Sequence, residues 1–167
     1  MKWIGAALCF AVSVAWGMTA GKKERARTEE CFAFLTLFTY IQNQIGYFFA
    51  PTKMIYRNIQ NEVLEGVGFL RALAEHEDDE VYYNVWQEAL ASCRERLHLT
   101  KTQFEIVESF GSCIGKSNED LQLKSLAYYK EALASEAERQ KTEMKKNIKI
   151  YRTLGFAVGT AAMILVL

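Results

Sequence analysis

The sequence has little of the two residues that interrupt helices. Of its 167 residues, one is proline, Pro51, and ten are glycine. Because proline and glycine mark most turns and helix ends, their scarcity predicts a chain that is mostly α-helical. A chain of this length has room for one central domain. It also carries no excess charge, since 20 Lys and Arg balance 20 Asp and Glu, which argues against a basic field for nucleic acid.

The residues that bind metals are also few and scattered. There are four cysteines and two histidines, with no C-x-x-C pair and with His76 and His98 far apart. These spacings argue against a metal centre and against a disulfide framework. The sequence therefore predicts no cofactor, no metal ligand and no catalytic residue, and Cys31, Cys93 and Cys113 are expected to be small buried side chains.

The start of the chain contains a long apolar run. Residues 3–20 carry no charged side chain and are long enough to span a bilayer as a helix. Four cations follow at once, whereas only Lys2 precedes the run, so the positive-inside rule places the following residues in the cytoplasm. These four are Lys22, Lys23, Arg25 and Arg27. The alternative is a signal peptide cleaved after Ala20, which would release an exported helical domain with no platform role.

The end of the chain has a second apolar run, over residues 154–167. It is short for a full span, and a buried or interfacial helix is the alternative. Lys145, Lys146, Lys149 and Arg152 precede it and are candidate contacts for anionic lipid. The predicted organisation is a membrane anchor at residues 1–21, a cytoplasmic helical domain at 22–152 and a second anchor at 153–167.

Between the two anchors the apolar residues have helical spacing. One stripe of a helix over 25–49 is formed by residues at gaps of three and four: Cys31, Phe34, Phe38, Ile41, Ile45 and Phe48. A second helix is expected over 53–65, and Thr100 with Gln103 predicts a capping box for a later one. No segment has the alternation of a strand. The predicted fold is all-α, an antiparallel bundle of about five or six helices between two terminal transmembrane helices.

The segment FGSCIGKS, residues 110–117, resembles a phosphate-binding loop that is one residue short. Such a loop follows a strand, but the residues before Gly111 have helical spacing. We therefore expect a helix–turn–helix joint, built by Phe110, Gly111, Ile114, Gly115 and Ser117. In this joint Gly111 permits close packing, Gly115 ends one helix in a left-handed conformation, and Ser117 begins the next.

The densest acidic run comes in the middle of the chain. Residues 75–80 read EHEDDE and contain Glu75, Glu77, Asp78, Asp79 and Glu80. This run is a candidate contact for a basic patch on a protein partner. The alternative is a solvated turn between two helices.

Four segments in order resemble one family along the whole chain. The turn FGSCIG is similar to the Phe-Gly-x-x-apolar-Gly turn of the stage III sporulation protein AB family. The opening KWIGA, the segment IGYFFAP and the tail LGFAVGTAAMILVL resemble that family's corresponding segments. Thr52 departs from the pattern, because leucine is expected after the proline.

The resemblance implies a non-enzymatic membrane subunit. It implies a part in the channel-like complex between mother cell and engulfed forespore, located in the mother-cell membrane around the forespore. The central domain would resemble the cytoplasmic helical domain of type II secretion F platform proteins. The implied partners are a cytoplasmic secretion-type ATPase and other membrane subunits of the complex, together with the lipid bilayer, but no nucleic acid or small-molecule substrate.

Overall fold

The computed structural model describes residues 2–48, 59–75, 82–115 and 119–166. The regular structure in these ranges is α-helical throughout, and the all-α prediction is confirmed. The described residues contain six helices; the expected five or six were counted between the two anchors, whereas the first and last of these helices each extend into a predicted anchor segment. They are α1 (Lys2–Phe48), α2 (Glu62–Gly66), α3 (Phe69–Ala74), α4 (Tyr82–Cys93), α5 (Lys101–Gly111) and α6 (Glu119–Val166).

The chain divides into two compact units. The terminal unit comprises Met1–Thr28 and Arg139–Leu167, and the central unit comprises Glu29–Glu138. The predicted membrane anchors belong to the terminal unit, and most side chains of residues 2–20 lie outside the described set. Among the described residues, no helix is both long enough and apolar enough to cross a membrane. The two anchors therefore remain a prediction.

Local sequence signals decide where two of the helices begin. Thr100 caps α5, because its side chain accepts a hydrogen bond from the Gln103 backbone while the Gln103 side chain accepts one from the Thr100 backbone. This capping box was predicted and is confirmed. The helix expected over 53–65 is corrected: residues 59–61 are not helical, and residues 53–58 lie outside the described ranges. Asn61 is extended and caps Leu64, so α2 begins at Glu62.

The core of the central unit is built around aromatic rings from four helices. Phe38 of α1 stacks on Phe110 of α5, with ring centroids 3.5 Å apart. Phe69 of α3 meets Trp86 of α4 edge to face at 5.1 Å, and it meets Phe34 in the same way. All five rings are fully buried. Edge-to-face pairs add about 0.5–1.5 kcal/mol each beyond the area that they bury.

The stripe predicted on α1 forms one side of this core. Cys31, Phe34, Phe38 and Ile41 are all 0% exposed, as their spacing of three and four residues requires for one helical face. Ile45 is partly buried against this core, and the Phe48 side chain lies outside the described set. The helix α6 supplies Leu126, Leu133 and Ala137 to the same core, also at 0%. The longest helices thus contribute apolar faces to the central unit.

The helices α4 and α5 approach closely at Gly111. The Trp86 indole lies against the α5 backbone, and its Nε1 donates a buried hydrogen bond of 3.0 Å to the Val107 carbonyl. A Cβ at position 111 would overlap the indole ring itself. Only glycine at this position leaves room for the ring, and this packing accounts for the first glycine of the FGSCIG segment.

Replacing Gly111 with alanine is therefore expected to destabilise the chain. The added methyl group must displace a fully buried indole, and overpacking of this kind costs about 1–3 kcal/mol. Thermal unfolding followed by far-UV circular dichroism measures the loss. Gly66→Ala is the matched control, because a Cβ at that helical position meets nothing within 4 Å. Gly66→Ala should leave the unfolding temperature unchanged or raise it, and equal effects of the two substitutions would contradict the packing argument.

Candidate functional site

The turn after α5 contains the second glycine of the FGSCIG segment. Gly115 has a φ of +81°, a left-handed conformation that favours glycine. A Cβ at Gly115 would also lie 2.9 Å from Cδ2 of Tyr82. Tyr82 and Trp86 are four residues apart, about one turn of α4. Gly111 and Gly115 are also four residues apart in the chain. Each glycine therefore faces one aromatic side chain of α4.

This geometry differs from that of a phosphate-binding loop. Residues 101–111, which precede the turn, form a helix, whereas a phosphate loop follows a strand. Phe110 and Ile114 are buried, and Phe110 is stacked in the core. Lys116 and Ser117 lie outside the described residues. The described part of the segment is a packing joint between α4 and α5.

The structure describes only part of the two charged segments predicted to contact partners, the acidic run at 75–80 and the basic residues at 145–152. Glu75 is exposed just after α3, whereas Glu77, Asp78, Asp79 and Glu80 lie outside the described residues. On α6, the side chains of the three lysines in the basic candidate are exposed, and the Arg152 side chain lies outside the described set. These lysines are Lys145, Lys146 and Lys149. Glu75 belongs to the central unit, whereas the three lysines belong to the terminal unit.

The two compact units have large formal charges of opposite sign, although the net charge of the whole chain is zero. The terminal unit contains eleven Lys and Arg against two Asp and Glu, a formal charge of +9. The central unit contains nine Lys and Arg against eighteen Asp and Glu, a formal charge of −9. The zero net charge of the sequence is therefore the sum of one strongly basic and one strongly acidic unit.

A buried carboxylate was missed by sequence reasoning. Glu30 of α1 has a side chain that is 3% exposed. Its Oε2 accepts a hydrogen bond of 2.6 Å from the His98 backbone N–H, and its Oε1 lies 2.7 Å from the Nδ1 of His98. Because His98 lies between α4 and α5, this carboxylate ties their connection to α1. The partners are 68 residues apart, so no local pattern could have indicated the pair.

The three described cysteines are free, and their burial confirms the prediction that they are small buried side chains. Burial, together with the nearby carboxylates of Glu136 and Glu30, raises the pKa of the Cys31 thiol to about 12. Burial also raises the pKa of Cys93, to about 11. Since the thiolate is the reactive form, both thiols are expected to react slowly near neutral pH. Among the described residues, no group of His, Cys, Asp and Glu could hold a metal ion.

Fold and charge together define a class: an all-α chain with an aromatic core in an acidic central unit, combined with a basic helical unit. The family can be named from the sequence. Residues 2–167 match the family described as stage III sporulation protein AB, and the chain belongs to this family. The resemblance noted in the four sequence segments is thereby confirmed. Membership supports a role in sporulation, and this family is not a known enzyme family.

Comparison with solved structures supports the fold. A structure of a stage III sporulation protein AB (SpoIIIAB) matches with a TM-score of 0.61 at 16% sequence identity. The match covers 72% of this chain and 97% of that chain. At this identity the likeness bears on the fold alone. No curated protein matches the sequence.

Removing the Glu30 carboxylate is expected to weaken the central unit. In Glu30→Ala the His98 backbone N–H loses its acceptor, and hydrogen bonds to charged groups contribute about 1.5–3 kcal/mol. Urea unfolding followed by circular dichroism measures the change. Glu30→Gln keeps an acceptor oxygen and should lose less. Glu29→Ala is the matched control, because Glu29 is exposed one residue away. Equal unfolding midpoints for Glu29→Ala and Glu30→Ala would show that the buried pair does not stabilise the fold.

Proposed function

We propose that the chain is a membrane-anchored platform subunit of the sporulation complex between mother cell and forespore. In this proposal the apolar ends cross the mother-cell membrane around the forespore, and the central unit lies in the mother-cell cytoplasm. There it engages a secretion-type ATPase and works beside other membrane subunits. Family membership supports the sporulation role, and the separation of charge between the two units is the observation that carries the rest.

The terminal unit has the two properties that a membrane-associated unit needs. Its charge of +9 suits the anionic cytoplasmic face of a bilayer. The distal part of α6 also exposes apolar side chains: Phe156 is 65% exposed and Ile164 is 71% exposed. Large exposed apolar surfaces are unfavourable in water and indicate contact with lipid or protein. Residues 3–20, which have no charge, support an anchor on the N-terminal side as well.

The central unit has properties that suit a protein partner. Its charge of −9 favours association with a basic surface through long-range attraction. The acidic run from Glu75 to Glu80 is the densest part of this charge. We propose that this run contacts a basic patch on the ATPase.

The orientation in the membrane can be tested with an engineered thiol. Lys101 has a side chain that is 91% exposed at the start of α5. In intact cells of a bacterial expression host, Lys101→Cys should react with a membrane-impermeant maleimide only after permeabilisation. Background from Cys31 and Cys93 should be low, because both are buried and both have raised thiol pKa values.

Lys2→Cys is the matched control for this experiment. The proposed orientation places residue 2 on the external side of the membrane, opposite the cytoplasm, so this thiol should react in intact cells. Labelling of Lys101→Cys before permeabilisation would instead support the exported helical domain and contradict a cytoplasmic platform.

The proposed ATPase contact can be tested by charge reversal. In the triple variant Glu77→Lys, Asp78→Lys, Asp79→Lys, the acidic run would face a basic patch with like charge, which costs several kcal/mol in an interface. Co-purification of the full chain with the proposed secretion-type ATPase should fall by about tenfold or more. Unchanged co-purification would remove this run from the contact.

A second triple variant separates the run from total charge. Glu95, Glu105 and Glu131 are exposed in the same unit, and their reversal to lysine changes the net charge by the same amount. Co-purification should survive in this control. A loss as large as that of the first variant would mean that total charge, and not the run, governs the association.

A further inference from the structure

The helices α1 and α6 lie side by side within the terminal unit. A Cβ on Gly21 of α1 would be 3.7 Å from Cγ1 of Ile148 on α6. Three residues further along α1, Glu24 Oε2 accepts a hydrogen bond of 2.8 Å from Nε2 of Gln140. The partner number falls as the α1 number rises, so the two helices run antiparallel here. Gln140 is 1% exposed, so the bond lies inside the helix pair.

These contacts bring two basic segments to the same level of the helix pair. Three cations of α1 lie within about one turn of Gly21, and three of α6 lie within about one turn of Ile148. All six side chains are exposed. We call them the basic patch: Lys22, Lys23, Arg25, Lys145, Lys146 and Lys149. No sequence pattern links the two groups, because more than 100 residues separate them.

The acidic groups of the terminal unit are already engaged. The unit has two, Glu24 and Glu143. The carboxylate of Glu24 pairs with Arg27 at 3.3 Å and accepts the Gln140 hydrogen bond. The carboxylate of Glu143 pairs with Arg139 at 2.8 Å. Six cations at one level repel one another, and neither carboxylate of this unit is left to offset that repulsion, so an external anion is favoured.

The position of the patch indicates what supplies the anion. Along α6 the cations are followed directly by exposed apolar side chains, with Ile150 47% exposed and Leu154 49% exposed. Exposed cations next to exposed apolar residues match the arrangement of a bilayer, where phosphates lie just outside the acyl chains. We propose that the α1 and α6 halves of the basic patch form one binding surface for the headgroups of anionic phospholipids. This inference rests on the proposed membrane anchoring. To the contact with anionic lipid predicted for the α6 lysines it adds the α1 half and the joining of both halves in one surface.

Competition between two lipids tests the proposal. The full chain in an uncharged detergent is mixed with equal amounts of phosphatidylglycerol and phosphatidylcholine, and bound lipid is counted by native mass spectrometry. The wild type should prefer phosphatidylglycerol by about tenfold or more, since each cation near a headgroup strengthens binding to anionic lipid. Added salt should reduce this preference. A wild type with no preference would overturn the proposal without reference to any variant.

Two triple variants test whether the patch is one surface. One carries Lys22→Gln, Lys23→Gln and Arg25→Gln, and the other carries Lys145→Gln, Lys146→Gln and Lys149→Gln. If both helices contribute to one surface, either variant alone should abolish most of the preference. The matched control is Lys101→Gln, Lys124→Gln and Lys130→Gln in the central unit, which should keep it. Independent, additive losses from the two halves, or an equal loss in the control, would contradict a shared surface.

A separate assay distinguishes this inference from the proposed anchoring. Vesicles of pure phosphatidylcholine carry no net charge, so flotation of the full chain with them depends on the apolar segments. The wild type and both triple variants should float equally. Flotation without a preference for phosphatidylglycerol would overturn the lipid surface alone. Failure of the wild type to float would overturn the membrane anchoring, and the lipid surface with it.

Discussion

The close approach of Trp86 to the backbone of α5 is the contact on which the central unit depends. The indole occupies the space that a side chain at Gly111 would need, and its N–H satisfies the Val107 carbonyl. This contact fixes the distance between α4 and α5. At that distance Tyr82 meets the left-handed Gly115, and Phe110 is held in its stack with Phe38. A residue larger than glycine at position 111 would force all these contacts to shift.

Two carboxylates, Glu30, which is buried, and Glu24, which is mostly buried, then determine which neighbours α1 can have. Within the central unit, Glu30 is satisfied by His98, and within the terminal unit Glu24 is satisfied by Arg27 and Gln140. An apolar contact can slide with little loss, but a buried carboxylate is costly unless its partners are in place. These pairs therefore specify the register of α1 in each unit more strictly than the aromatic rings do.

The sequence predicted the features that depend on near neighbours. Helical spacing identified the buried stripe from Cys31 to Ile41, and the Thr100–Gln103 spacing identified a capping box. The predicted start of α2 was wrong. The prediction followed the apolar spacing around Ile59, whereas in the structure the Asn61 cap sets the start of the helix. The Glu30–His98 pair was missed because its members meet only after α1 packs against the α4–α5 connection. Spacing along one helix carries no information about such a pair.

The net charge of a sequence likewise carries no information about which charged residues the fold brings together. A formal charge of zero argues against a strong field only if the charges are mixed, and here the fold sorts them into units of +9 and −9. In physiological salt, charges act over about 8 Å, so a ligand at a surface responds to nearby groups and not to the total. Each unit can therefore attract a partner of opposite sign. The separation arises because the segments next to the two apolar runs are basic and α1 and α6 bring those segments together, while the acidic residues lie between them in the sequence. Net charge alone thus says little about the partners of a chain in which folding brings two distant basic segments together.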